Sequence, residues 1–129
     1  MYRMSMGLMA AVGMIGFGLG SVLGQQRPTG VDLQVLGTVD AGENCPGHIL
    51  RMRRVTFAPG ASIAMHDHRD HPEVSLVMEG TLSNTIKGQS QMQLLAGTPV
   101  LNGPDVEHLP ANETSKPVVV FSVDLIKKP

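Results

Sequence analysis

Gly60-Ala-Ser-Ile-Ala-Met-His66-Asp-His68-Arg-Asp-His71-Pro-Glu73-Val-Ser-Leu-Val-Met-Glu-Gly80 is the stretch whose reading decides the fold. On an extended strand, side chains two apart share a face, so His66 and His68 present two imidazoles side by side, a pair able to chelate one ion. Glu73 lies an odd number of residues further on, and a regular strand would turn it to the opposite face. The intervening Arg69-Asp70-His71-Pro72 is therefore read as a loop or bulge that resets the register, since proline holds His71 extended and withholds a ladder donor.

Outward from this stretch the chain is written as short apolar or alternating runs punctuated by Gly, Pro, Asn and Asp. Strands are expected at 33–39, 49–57, 62–66, 74–78, 81–87, 91–95, 99–101 and 118–125. Turns are expected at Ala58-Pro59-Gly60, Glu79-Gly80, Lys87-Gly88, Ala96-Gly97 and Asn102-Gly103-Pro104. No convincing amphipathic helix interrupts them. The last strand alternates, with Val119, Phe121, Val123 and Leu125 on one face and Ser122 and Asp124 on the other, so one side faces a core. The fold class is all-β, a sandwich or barrel that closes its edges. His108, after the Asn102-Gly103-Pro104 turn, brings a third imidazole from a later strand. Three imidazoles and one carboxylate suit Fe, Mn, Co, Ni, Cu or Zn rather than Ca or Mg.

These residues resemble the cupin superfamily, in its small single-domain form. Gly60 to Gly80 matches the first cupin motif, G-x5-HxH-x4-E-x6-G, at every specified position. Gly97, His108 and Asn112 match the second, G-x5-PxG-x2-H-x3-N, at the right spacing, but Gly103 and Asp105 stand where that motif has proline and glycine. The resemblance spans roughly residues 33 to 126. It implies a small jelly-roll-like β-barrel with one divalent transition metal inside, held by His66, His68, Glu73 and His108, with water or substrate completing the coordination. It names a site and not a reaction, because such barrels host dioxygenases, isomerases, decarboxylases and non-catalytic binders. It also implies pairing into a homodimer through the sheets.

Other residues have two readings each. His71 is a loop histidine at the barrel mouth, or a proton donor or acceptor at the pocket rim. Asp67 and Asp70 are solvated, or orient the ligand imidazoles. Arg51, Arg53 and Arg54 place a guanidinium on each face of their strand. Arg51 or Arg53 points inward to clamp an anionic group such as a carboxylate, or the charges point outward and guard a strand edge. Asn112 is a further residue for substrate or for orienting a ligand. Met52, Met65, Met78 and Met92 read as core filler. Cys45 has no partner cysteine and sits in a turn, where a structural role fits best, and His48 has no assigned role.

The chain has 129 residues, 42% of them hydrophobic, which is material for one compact domain. A formal charge of −1 and 3% aromatic content exclude a nucleic-acid partner, which would need a basic face and stacking platforms. Residues 4–23 carry no charge and follow Arg3, so 1–24 is expected to be a signal peptide cut after Gly24, or an uncleaved amino-terminal anchor. Residues 25–32 are then a linker, 33–126 the barrel and 127–129 a tail. The expected location is the periplasm or the exterior, or a tether to the inner membrane. The expected function is a metal-dependent enzyme acting on a small molecule, a dioxygenase-like oxidoreductase or an isomerase. The alternatives are a non-catalytic module that binds or senses a metal or small ligand, and an accessory protein whose metal only stabilises the domain.

Overall fold

The computed structural model describes residues 29–129, which form nine strands in two antiparallel sheets and contain no helix. The leader and the first half of the linker, residues 25–28, lie outside the described residues. The five-stranded sheet has the order β1 (Val31–Asp40), β2 (His48–Phe57), β9 (Val118–Lys127), β4 (Glu73–Glu79), β7 (Pro99–Asn102). The four-stranded sheet has the order β3 (His66–Asp67), β8 (Glu107–Ala111), β5 (Thr81–Ile86), β6 (Met92–Leu95). Consecutive strands switch sheets at every connection except β1–β2 and β5–β6, including residues 68–72 and Gly80, the crossings that build a barrel from two layers.

Strand register sorts the inner face of the larger sheet into rows. Phe57 faces Val118, and Val55 faces Val120, which faces Val77. These side chains are buried and form the core with Ala61, Leu82 and Val100; burying each large one stabilises the fold by about 1.5–3 kcal/mol. The next row is Arg53, Ser122, Ser75 and Val100, and the one after it is Arg51, Asp124, Glu73 and Asn102. The interior thus passes from wholly apolar at one end to charged at the other. On β9 Val118, Val119, Val120, Ser122 and Asp124 are buried, and the face bearing Val118, Val120 and the polar Ser122 and Asp124 looks into the core, opposite to the expected core face of Val119, Phe121, Val123 and Leu125.

Gly80, the last residue of the first motif, links β4 to β5 with φ +79°, and a Cβ there would lie 2.9 Å from the Pro117 carbonyl oxygen. Only glycine meets both demands. Two further expectations need correction. Residues 62–66 do not form a strand: Ser62 makes a single bridge to Ala111, and pairing begins at His66. The later strand expected to carry His108 is β8, Glu107–Ala111, whose bounds the sequence pattern did not give. Met52, Met65, Met78 and Met92 are about two-fifths exposed and are not core.

Candidate metal centre

His66 and His108 lie directly opposite each other in the β3–β8 ladder, and His68 follows at the end of β3. Their ligand atoms all fall within 4.8 Å of one another. His68 and His108 are buried and His66 is half-buried. In each ring Nδ1 faces an oxygen: His66 the Ala64 carbonyl at 2.8 Å, His68 the His71 carbonyl at 3.2 Å, and His108 the Asn84 side-chain oxygen at 2.8 Å. An oxygen acceptor requires N–H, so all three rings carry their proton on Nδ1 and leave Nε2 bare when neutral. Burial, then the neighbouring His66 and His68, pushes the His108 pKa down to about 3, and burial also lowers that of His68. Both are therefore neutral near pH 7.

Nε2 of His68 and Nε2 of His108 are 3.0 Å apart, which with both protons on Nδ1 sets two lone pairs against each other. A cation between them removes that repulsion. Two nitrogens at about 2.1 Å from one ion and at right angles across it lie about 3.0 Å apart, so the spacing fits the donor set.

Glu73 faces the same cavity from the opposite sheet. Residues 68–72 do not reset a register within one strand; they carry the chain from β3 across to β4. The Glu73 carboxylate accepts from Arg53, from the Ser75 hydroxyl at 2.6 Å and from Asn102 at 3.4 Å. It is not one of the three residues whose ligand atoms cluster. Asp124, wholly buried, takes both Nε and Nη2 of Arg51 at 3.1 and 2.6 Å and Nη2 of Arg53 at 3.2 Å. Burial lowers and the Asp124 hydrogen bond raises the Arg51 pKa, and the hydrogen bond prevails. Arg51 and Arg53 thus point inward, while Arg54 is exposed.

A cavity of about 210 Å³ joins these groups. Its polar wall holds the three histidines, His71, Arg53, Glu73 and Asn102, and its apolar wall includes Val55, Phe57, Leu82 and Val120. His71 is half-buried in that wall, its ring 4.8 Å from that of His68. Asn112 plays a different part: its amide donates to the Phe57 and Lys116 carbonyls and its oxygen accepts from Thr114, fastening the loop before β9. Asp67 orients no imidazole, being engaged by Arg69, which lowers its pKa to about 2. Sequence reasoning missed Asn84, Asp124 and Ser122. The available signal was their residue type: Asn and Asp are depleted in strands, so a strand that keeps one is marked.

The profile of the family described as Cupin domain matches residues 53–124. The chain belongs to this family. Among solved structures, this cupin is similar to a Cupin 2 conserved barrel domain protein from Salinispora arenicola CNS-205, with 23% identity, TM-score 0.58, and 73% of this chain and 74% of that one covered. It is similar to oxalate oxidase in complex with the substrate analogue glycolate, with 22% identity, TM-score 0.59 and 79% of this chain covered; the cupin spans 57% of that enzyme's chain. It is also similar to the Cupin_2 domain of an XRE family transcriptional regulator from Enterobacter cloacae, with 22% identity, TM-score 0.55, and 78% and 98% covered. These likenesses show the shared barrel. No curated protein matches the chain.

Proposed function

We propose that this cupin is a metal-dependent enzyme of the cell envelope that acts on a small molecule inside its barrel, in the manner of a dioxygenase-like oxidoreductase. His66, His68 and His108 would hold one divalent transition metal through Nε2, with Glu73 as a fourth ligand. The observation that carries this reading is the three Nδ1 acceptors, which leave three unprotonated Nε2 atoms converging on one point. A cation shared by the three lone pairs satisfies that arrangement with neutral rings. The ion, when bound, supplies Lewis acidity and, if it is iron or another redox metal, electron transfer to a bound small molecule. The chain's own residues do the rest: Asn84 fixes the His108 tautomer, His71 faces the cavity wall as a proton donor or acceptor, and the valine rows keep water from the far end. The likeness to oxalate oxidase supports the redox version.

The test is elemental analysis of protein purified from its native compartment, followed by azide or nitric oxide titration. One equivalent of redox metal with an exchangeable position, lost in His66→Ala, is expected. Natively prepared protein without an ion would overturn the reading. A second reading, a binding or sensing module, is favoured by one observation: the carboxylate of the cavity, Glu73, is tied to Arg53 and is not free to act as a base. The likeness to a regulator's cupin domain agrees with it. Tight ligand uptake without turnover would establish it. Either version is proposed to act as a homodimer, because the outer face of the larger sheet exposes Val74 and Leu101 at 56% and 69% beside Leu50, Met52 and Leu76.

A further inference from the structure

The row of Arg53, Ser122 and Ser75 contains two buried polar atoms without a partner, Arg53 Nε and Ser122 Oγ. Ser122 is 1% exposed, and both residues line the cavity. A buried donor left unpaired forfeits the hydrogen bond it had to water, so an acceptor is owed to this spot. Arg53 and Ser122 are direct register partners on the inner face, which sets their side chains next to each other.

The molecule holds a template for what the acceptor is. Arg51 presents Nε and Nη2 together to the two oxygens of Asp124, the side-on fork that suits a carboxylate. Arg53 presents the same edge, but its Nε is empty and its Nη2 is covered by Glu73 and Asp124. Without a metal, Arg51 and Arg53 are balanced by Glu73 and Asp124, and nothing draws in an anion. A divalent ion on the neutral His68 and His108 leaves two positive charges uncompensated in a small low-dielectric cavity. If Glu73 then turns to that ion, the Arg53 edge opens.

We propose that Arg53 and Ser122 form a receptor for the carboxylate of a small aliphatic acid, opened when Glu73 leaves Arg53 for the metal. The ligand's hydrocarbon part lies against Val55 and Val120 in the adjoining row and Leu82 of the facing sheet. Metal and carboxylate binding are consequently coupled and reinforce each other. The proposal rests on the metal reading above.

The test is calorimetric titration of butyrate, and of butyramide as its uncharged counterpart, into the full chain loaded with zinc and into the metal-free chain. Zinc-loaded protein is expected to bind butyrate at least tenfold more tightly than metal-free protein does, and more tightly than it binds butyramide. Ser122→Ala should weaken butyrate severalfold while its zinc affinity and Tm stay at or above the wild-type values, because the unpaired hydroxyl is gone. Arg53→Lys keeps the charge, loses the fork and should weaken butyrate further. Equal butyrate affinity in wild type and Ser122→Ala would mean that the acid binds the metal alone, and would overturn the receptor. Equal affinity with and without zinc would overturn the coupling. Failure of wild type to take up zinc would sink this inference together with the metal reading, whereas zinc uptake with no butyrate binding would sink this inference alone.

Discussion

The two ends of the barrel interior are built on the same strands and serve opposite purposes. At one end Phe57, Val118, Val55, Val120 and Val77 meet in apolar rows. Two to four residues further along β2 and β9, Arg51, Arg53, Ser122 and Asp124 occupy the same inward positions. The backbone ladder continues unbroken through both, so hydrogen bonding does not distinguish them. What differs is the work asked of burial: the apolar end gains free energy by leaving water, and the charged end spends it to hold a site open. The valine end can be closed and the arginine end cannot.

The comparison breaks first at Asp124. Removing it leaves Arg51 without the acceptor of its fork and Arg53 with Glu73 alone, and Asp124→Ala should destabilise the fold by about 3–5 kcal/mol, read from urea unfolding. Phe57→Ala, at the other end, should cost about 3–5 kcal/mol as well, but with metal stoichiometry intact in the folded fraction. If Asp124→Ala proves harmless, the charged end is no structural unit. Next is Asn84, whose oxygen accepts the His108 Nδ1–H. Asn84→Ala should lower metal affinity about 10–100-fold in a competition assay with a chromophoric chelator, while unfolding shifts less than for Asp124→Ala.

Acid provides a milder probe. His108 titrates near 6.5 when unfolded and about 3 when folded, so between those values the unfolded chain binds the extra proton. Stability of the metal-free protein should be full above pH 6.5 and decline as pH falls towards about 3; His108→Gln should flatten that decline. A profile unchanged in the variant would place the titration elsewhere. The smallest effect belongs to the exposed Arg69–Asp67 pair at the surface. Arg69→Ala should leave Tm unchanged within measurement, since solvent screens such pairs.

The legibility of the fold in the sequence followed the same division. The strands bearing valine rows were plain from their apolar runs and glycine turns, although the alternation in β9 pointed to the wrong face as the core side, and the His66–His68 pair was plain from its two-residue spacing. The strand carrying His108 was not, because Glu107-His-Leu-Pro-Ala holds no β-branched residue and its proline argues against pairing. Pro110 is tolerated because its carbonyl still accepts from Ile63. Glu73 was placed toward the cavity for the wrong reason: the chain changes sheets there, which no periodicity within one strand can reveal. Asn84, Asp124 and Ser122 depend on cross-strand partners far away in sequence, and a single chain read in one dimension does not name those partners.

The distance in sequence between the two nitrogens nearest each other has a temporal consequence. His68 and His108 are 40 residues apart, and His108 reaches its place only after β4 to β7 have been laid down between them. A chain emerging from synthesis offers His66 and His68 alone, a weak grip on any ion. The three imidazoles come together only once β8 pairs with β3, so on the metal reading proposed above an ion would meet its full set of donors in the paired barrel and not on the emerging chain.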